Sequence, residues 1–273
     1  MAQYHEENLL ILTKTYPSPS TKYRETSCVA AINDQGQMRR LFPIPFRLLT
    51  GSQQFARWEW VRARITKAGD DHRPESYKVD VDSIVRVSKL KTDQGWAERV
   101  QWVEPHTLPG FNELEARRQT TGETLGFIRP ESYQLEIKPA DSVDWTDEEK
   151  DKHVRDGLFD APDVKLRFPL QKVPFDFYYN YSCQTGQGST QHRHKITDWE
   201  ACALYWNCQR DYKQNWEKYF RLKLEEDFSH NRELMYLMGT MHRFPDKWLI
   251  VGLLYPPKVE ARQQALFLSP PGD

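Results

Sequence analysis

The sequence predicts an α+β fold, in which a β-rich N-terminal region, a small antiparallel barrel or sandwich, precedes a mixed α/β C-terminal domain. Short segments that are β-branched or that alternate apolar and polar residues follow one another at even spacing through the first half of the chain. Helical periodicity is scarce before residues 111–119, FNELEARRQ. After residue 164, by contrast, helix-length and strand-length segments alternate.

Turn signals of proline, glycine and aspartate separate the predicted strands of the first half, which cover residues 8–16, 25–34, 37–44, 57–67 and 77–90. Between the second and third strands, DQGQ predicts a hairpin turn through Gly36. The second half contains a predicted aromatic strand, one long helix or two consecutive helices, and two further strands. These cover residues 173–183, 197–228, 234–242 and 247–255.

Two features indicate the domain organisation. The pentapeptide RPESY occurs at residues 73–77 and again at 129–133, each time before an alternating segment, which indicates two related units within a β-rich region, residues 1–138. Residues 139–164 are strongly charged and are predicted to form a linker, in which Thr146 and Glu149 make a capping box at the start of a short helix. Residues 165–273 then form the α+β domain.

Charge is unevenly distributed along the 273 residues, although the formal net charge is only −1. Residues 1–91 hold 15 Lys and Arg against 10 Asp and Glu, and the remaining residues hold 23 against 29. Within the basic part, Trp58 and Trp60 alternate with Arg62 and Arg64, so a strand of period two places all four on one face. That face either stacks bases and holds phosphates or packs its tryptophans into the core, and the pattern leaves both interpretations open.

The four cysteines are few for the length and lack the close, even spacing of a secreted disulfide framework, which predicts a reduced, cytoplasmic protein. The N-terminus is acidic where a signal peptide is basic, and the longest apolar run, residues 248–255, is too short to cross a bilayer. A membrane partner is therefore not expected. The sequence also lacks a Walker-type phosphate loop, a dinucleotide-binding GxGxxG motif and the GxSxG motif of serine hydrolases.

Reactive side chains concentrate in the segment CQTGQGSTQHRHKITDWE. Cys183, His192 and His194 are residue types that bind zinc or a similar divalent metal, although neither Cys-x-x-Cys nor His-x-x-x-His spacing occurs. Asp198 and Glu200, with His194 as proton donor or base, are groups that metal-assisted phosphodiester hydrolysis uses. The segment is therefore the candidate metal and catalytic site.

A structural interpretation of the final TDWE is also open. Thr197 as the N-cap, with Glu200 at the third helical position, forms a capping box, and Asp198 in the first turn favours the helix dipole. Residues two apart on a helix point about 200° apart. Asp198 and Glu200 therefore share a cation only if the helix begins after them.

The segments LLILTKT, CVAAI and MRRLFP, in this order, resemble the start of proteins that carry a dual OB-containing domain, a prokaryotic group often associated with genome-conflict systems. The resemblance covers about the first third of the chain and implies that residues 1–138 form an OB-like β-barrel region with a role in nucleic-acid handling. The stretch from Cys183 to DWE, with MGT and LIVGLLYPP, is similar to a functionally unassigned bacterial and archaeal family, in which a second cysteine and a histidine precede DWE. Here no second cysteine follows Cys183 closely, which leaves His192 and His194 as substitute ligands.

Together these patterns predict a nucleic-acid-binding protein, a component of a bacterial defence or mobile-element system that acts on DNA or RNA beside other subunits. The predicted contacts are Arg39, Arg40, Arg47, Trp58, Trp60, Arg62 and Arg64. The alternative is a metal-dependent hydrolase or nuclease that uses the cluster from Cys183 to Glu200. A second alternative is a structural subunit of a larger complex.

Overall fold

The computed structural model describes residues 3–154, 170–186 and 188–258 and has a mixed α+β architecture in which strands predominate. The predicted α+β class is therefore confirmed. The chain divides into two compact units, Met1–Lys89 with Ile137–Asp176 and Leu90–Glu136 with Phe177–Asp273. The division at residues 138 and 164 stays a prediction, and the predicted linker after residue 154 lies outside the described residues.

Strands and helices are numbered along the chain. The strands are β1 (His5–Lys14), β2 (Ser18–Ser20), β3 (Arg24–Asn33), β4 (Met38–Ile44), β5 (Glu59–Lys67), β6 (Ser76–Lys89), β7 (Thr107–Leu108), β8 (Leu125–Ile128), β9 (Ser132–Pro139), β10 (Phe175–Thr185), β11 (Gly188–Lys195), β12 (Met235–Thr240) and β13 (Trp248–Leu254). The α-helices are α1 (Asp93–Val103), α2 (Phe111–Thr121), α3 (Asp147–Val154), α4 (Trp199–Tyr212), α5 (Trp216–Arg221) and α6 (Phe228–Asn231). Short 3₁₀ helices cover Phe46–Leu48, Glu104–His106 and Lys213–Asn215, and a π-helix covers Leu222–Asp227.

The sheet of the first unit is nearly closed. Its strand order is β1-β5-β6-β4-β3-β2, and β1 also pairs with β3. The β4–β6 pair is parallel, whereas the β1–β3, β1–β5, β5–β6, β3–β4 and β2–β3 pairs are antiparallel. All five strands predicted for this part of the chain are present. Burial alternates along β5, whereas β1 and β3 are buried on both faces over much of their length.

The core of the first unit contains alternate residues of the strands, among them Leu9, Ile11, Val29, Ala31, Val61, Ala63 and Ile65. Burial of a Val, Leu or Ile side chain stabilises a fold by about 1.5 to 3 kcal/mol. The intervening residues of β5, Trp60, Arg62 and Arg64, lie on the opposite face. The assignment of the two faces of β5 therefore follows from the period-two pattern of its sequence.

Two predicted local motifs of the first unit are confirmed. Gly36 turns the β3–β4 hairpin with φ of 77°, and its N–H donates to Asn33 O at 2.9 Å. A positive φ is why glycine is favoured at this position. Thr146 and Glu149 form the capping box of α3, with Glu149 N to Thr146 Oγ1 at 3.2 Å and Thr146 N to Glu149 Oε2 at 2.9 Å.

The second unit holds most of two further sheets, with strand orders β11-β10-β9 and β13-β12-β8-β7. The predicted aromatic strand corresponds to β10, and the two predicted C-terminal strands correspond to β12 and β13. Both β12 and β13 are almost completely buried. Among the described residues, no helix combines the length and the apolar character that crossing a bilayer requires.

The predicted capping box of Thr197 and Glu200 is wrong, because α4 begins one residue later than that prediction requires. Asp198 is the N-cap of α4, and its Oδ1 accepts from Glu200 N and Ala201 N at 2.6 and 3.1 Å. Thr197 instead bonds its N–H to Ile250 O at 2.8 Å and so continues the strand-like pairing beside it. The cap position is thus decided by a partner distant in sequence.

The two RPESY copies lie in different units but at the same local position, because Ser76 begins β6 and Ser132 begins β9. Their glutamates differ in environment. Glu75 is buried beside Arg40, whereas Glu131 is exposed and accepts from hydroxyl and amide groups around β10 and β11. The shared pentapeptide therefore corresponds to a shared strand start and not to a shared site.

Candidate functional site

Three of the predicted nucleic-acid contacts lie beside buried or half-buried carboxylates. Arg39 donates from Nε and Nη2 to the Glu7 carboxylate, both at 2.9 Å, and its guanidinium lies over the Tyr77 ring. Arg40 is 3.5 Å from Glu75, and both side chains are almost fully buried. The half-buried Arg47 is 3.3 Å from Glu25. Sequence reasoning missed these partners because each lies more than twenty residues from its arginine.

The Glu25 carboxyl shows how strongly this interior disfavours charge. Burial raises the pKa of Glu25, and Arg47 only partly offsets that effect. Removal of one partner from a buried ion pair leaves an uncompensated charge, which costs about 3 to 5 kcal/mol. Arg39, Arg40 and Arg47 are therefore engaged with carboxylates of the first unit, and their contact with phosphate stays a prediction.

Trp58 also lies inside the first unit. It is 4% exposed, has φ of 62°, and bonds its N–H to Ile11 O at 2.7 Å. Because a left-handed backbone precedes β5, the period-two alternation begins only at Trp60. Trp60 is half-buried and shares the outward face with Arg62 and Arg64.

The two-stranded segment of β5 and β6, here called the β5–β6 ribbon, carries the exposed basic surface of the first unit. The side chains of Arg62 and Arg64 are 51% and 58% exposed. Arg62 lies 3.7 Å from Glu6, and Arg64 contacts Asp80. Val85, which is paired with Arg62 across the ribbon, is also exposed. The ribbon therefore combines exposed cations, an aromatic ring and apolar surface.

Cys183 is a buried residue of β10. Burial raises the pKa of its thiol, so the thiolate form is disfavoured at neutral pH. A Cβ atom at Gly110 would lie 2.9 Å from the Cβ of Cys183, which makes glycine the only residue that fits there without displacement. The thiol is therefore a packing group and is poorly suited to be a nucleophile or a zinc ligand.

His192 and His194 lie on one face of β11, paired in register with Tyr181 and Tyr179 of β10. The Phe111 ring packs against both imidazoles, with centroid distances of 4.8 and 4.6 Å. The His194 Nδ1 and Tyr181 Oη atoms lie 2.9 Å apart, within hydrogen-bonding distance. Burial, followed by the neighbouring His192, lowers the pKa of His194 to about 4, and burial lowers the pKa of His192. Both rings are neutral at pH 7.

Asp198 and Glu200 lie at the start of α4 and do not form a carboxylate pair. Asp198 is buried, and beyond the two cap bonds its Oδ2 accepts from Leu253 N at 2.9 Å. Glu200 is exposed on the first turn. Both Asp198 oxygens are therefore occupied by backbone amides, which explains its position without catalysis.

The predicted metal ligands do not converge. Within residues 3–154, 170–186 and 188–258, no three His, Cys, Asp or Glu side chains are arranged to hold one metal ion. Cys183 is opposite Thr190 in the hairpin register, two positions beyond the pair formed by Tyr181 and His192. The side chains that the sequence brings together are thus divided among a buried thiol, a histidine pair and a helix cap.

Sequence reasoning missed a groove of about 800 Å³ in the second unit. Its walls include the second RPESY copy, the π-helix and α6, and it contains both cations and carboxylates. Arg129 donates to Glu104 and Glu233, so its charge is balanced within the protein. Tyr133 lines the groove, and burial raises its pKa to about 12. The only sequence signal was the RPESY repeat itself.

Comparison with protein families divides the chain after α1, at residue 106, whereas the last strand of the first sheet, β6, ends at Lys89. A family model described as a domain of unknown function, DUF8758, matches residues 5–105. A second one, the domain of unknown function DUF8757, matches residues 107–271. No curated protein matches the sequence.

Proposed function

The chain belongs to the DUF8757 family, a domain of unknown function, and we propose that the β5–β6 ribbon of its first unit binds single-stranded nucleic acid. Arg62 and Arg64 contact phosphates in this proposal, and Trp60 provides a ring on which a base stacks. The observation that carries the proposal is the exposure of both arginines on the same face as Trp60.

The strand order supports an OB-like interpretation of the first unit. OB folds are five-stranded, partly open Greek-key barrels that bind oligonucleotides. In the first unit, β1, β3, β4, β6 and β5 follow one another around the sheet, β5 pairs again with β1, and only β4 and β6 are parallel. The remaining strand, β2, is an addition at the edge beside β3. By analogy with OB folds, this connectivity supports an oligonucleotide ligand.

The choice of the β5–β6 ribbon follows from exposure. OB folds commonly bind ligands on the face of their second and third strands, which correspond to β3 and β4. Ala30 and Arg40, which are paired across these two strands, are both 3% exposed, and α3 lies against β2 and β3. The ribbon, in contrast, presents its arginines to solvent.

The ion pairs of the ribbon do not prevent phosphate binding. Exposed ion pairs contribute about 0 to 1 kcal/mol, so a phosphate can replace Glu6 at Arg62 and Asp80 at Arg64 at little cost. Stacking of a base on an aromatic ring adds about 1 to 3 kcal/mol. The balance of these magnitudes favours a complex with modest affinity and marked salt dependence.

Fluorescence anisotropy with a labelled 12-nucleotide oligo(dT) or oligo(U), at several salt concentrations, tests the proposal. Each phosphate contact on a single strand contributes about −0.7 to the slope of log K against log salt. The double variant Arg62→Ala, Arg64→Ala should therefore bind more weakly, with a slope less negative by about 1.4. The matched control is Arg193→Ala, Arg210→Ala, which removes two exposed arginines of the second unit.

Absence of wild-type binding at low salt would refute nucleic-acid binding, and an unchanged slope in the ribbon variant would refute the ribbon as the surface. A component role in a bacterial defence or mobile-element complex, in the cytoplasm, accompanies this proposal and is supported by the sequence resemblance. Co-purification of the chain with other subunits tests that part. The alternative of a metal-dependent hydrolase gains no support from the geometry, because Cys183 is buried and Asp198 is a helix cap.

A further inference from the structure

The turn between β12 and β13, residues 241–247, exposes apolar and charged side chains next to two buried strands. The flanking strands are almost completely buried, whereas all seven residues of the turn, MHRFPDK, are exposed. Met241 N donates to Lys247 O at 3.1 Å, and Lys247 N donates to Phe244 O at 2.9 Å. Pro245 occupies the second position of the turn that this last bond closes, where its fixed φ is favourable. The turn is therefore a defined structure.

Phe244 is 47% exposed at this tip, and the nearby Met241 is 38% exposed. Complete burial of a Phe or Met side chain is worth about 1.5 to 3 kcal/mol, so the fold gives up part of that stabilisation at both positions. The Lys247 ammonium lies 4.6 Å from the centroid of the Phe244 ring, which helps to hold the ring in place. Packing within the described residues of the chain does not account for this exposure.

The charge around the ring is positive. In the described part of the chain, neither Arg243 nor Lys247 has a carboxylate within ion-pair distance. The carboxylate of Asp246 acts on Arg118 of α2, whose pKa is raised, first by its hydrogen bond with Glu115 and also by Asp246. Asp246 is thus partly balanced by a cation of its own unit, and the tip presents an aromatic ring between two cations.

We propose that this hairpin tip is a second nucleic-acid contact, at which Phe244 stacks on an unpaired base while Arg243 and Lys247 contact the neighbouring phosphates. The inference rests on the proposed function in that the ligand belongs to the same class, single-stranded nucleic acid. It differs in the surface, which belongs to the second unit and had no predicted role.

The magnitudes favour nucleic acid over a lipid surface. A single myristoyl chain gives only marginal membrane binding, and two partly exposed side chains bury far less apolar surface than that chain. A base stacked on an aromatic ring contributes about 1 to 3 kcal/mol from one contact. One ring with two flanking cations is therefore sufficient for an oligonucleotide and insufficient for a bilayer.

Phe244→Ala is the direct test, with Phe42→Ala as the matched control. Phe42 is 48% exposed, nearly the same as Phe244, but it lies on β4 of the first unit. Affinity for a 12-nucleotide single strand that contains 2-aminopurine should fall by about 5- to 150-fold in Phe244→Ala, which corresponds to the loss of one stacked base. The quenching of 2-aminopurine on binding should also decrease, whereas Phe42→Ala should behave as the wild type does. Thermal unfolding curves of the three proteins establish that the fold is retained.

Each outcome separates this inference from the proposed function. If Phe244→Ala keeps wild-type affinity and quenching while the Arg62→Ala, Arg64→Ala variant loses binding, the proposal for the hairpin tip is refuted. The proposal for the β5–β6 ribbon is then supported. The opposite result would support the tip and overturn the ribbon, and no wild-type binding would overturn both. A further outcome is that the wild type co-sediments with phosphatidylserine vesicles and Phe244→Ala does not, while both bind the oligonucleotide equally. The tip would then bind lipid, and the inference would be refuted.

Discussion

His194 links the stability of the second unit to pH. Its imidazole packs against Phe111, and its Nδ1 lies within hydrogen-bonding distance of the Tyr181 hydroxyl. The rings of Phe111, Tyr181 and His192 lie against the imidazole. Burial lowers its pKa, and the titratable neighbour that acts on it, His192, lowers it further. Protonation therefore places a cation in a site that provides no counter-charge. We expect the fold to lose stability when the pH falls.

The sign and size follow from the two protonation equilibria. The pKa of His194 is about 4 in the fold, against an ordinary value of 6.5. Between these values the unfolded chain binds the proton and the fold does not, so stability decreases as the pH falls from 6.5 to 4 and this contribution stops changing below 4. Integration of that difference from pH 7.0 to pH 4.5 gives a loss of about 2 kcal/mol from this residue.

Urea unfolding followed by tryptophan fluorescence, at pH 7.0 and pH 4.5, measures this loss. Carboxylates also titrate between these pH values and contribute to the change in both proteins. We therefore compare the loss of unfolding free energy between pH 7.0 and pH 4.5 in the wild type with the same loss in His194→Gln. We expect the variant to lose about 2 kcal/mol less than the wild type, and His72→Gln, an exposed control, to match the wild type. Equal losses in His194→Gln and the wild type would refute the reasoning.

Three further substitutions test the structural roles assigned above, with the free energy of unfolding as the measurement in each. Arg40→Ala should destabilise the protein by about 3 to 5 kcal/mol, because it leaves buried Glu75 uncompensated. The control, Arg62→Ala, should change stability by less than about 0.5 kcal/mol. Similar effects of the two substitutions would contradict the division into buried and surface arginines. Asp198→Ala should cost about 2 to 4 kcal/mol, because it removes the cap of α4 and the acceptor of Leu253 N. Asp198→Asn should recover only the cap, since its amide nitrogen cannot accept a hydrogen bond, and full recovery would argue against the Leu253 contact. Gly110→Ala should cost about 1 to 3 kcal/mol through overpacking against the Cβ of Cys183, and rescue by Cys183→Ala would contradict this, because alanine retains that Cβ.

The sequence predicted well those features that depend on neighbouring residues. The alternation of Val61, Arg62, Ala63 and Arg64 assigned the two faces of β5, because side chains in a strand alternate whatever the rest of the fold does. The capping box of Thr146 and Glu149 could also be predicted from the sequence, because both partners lie within one helical turn.

Features that depend on partners distant in sequence could not be predicted from the sequence. Thr197 and Asp198 are both good N-caps by residue type, and the choice between them depends on Ile250 and Leu253, more than fifty residues away. Arg39 resembles a surface cation in the sequence, and only the pairing of strands brings Glu7 to it. A cluster of reactive residues in sequence is therefore weak support for a cluster in space unless the strand register and helix start are known.

The same distinction sets the expected salt dependence of nucleic-acid binding. If all 15 cations of residues 1–91 contacted phosphates, the slope of log K against log salt would approach about −10. At least eight of these cations pair with carboxylates in the described part of the chain, and exchange of a buried partner for a phosphate is costly. Arg62 and Arg64 give a slope of about −1.4, and Arg243 and Lys247, considered separately, also give about −1.4. A measured slope near −10 would mean that the charge count, and not exposure, describes the interface.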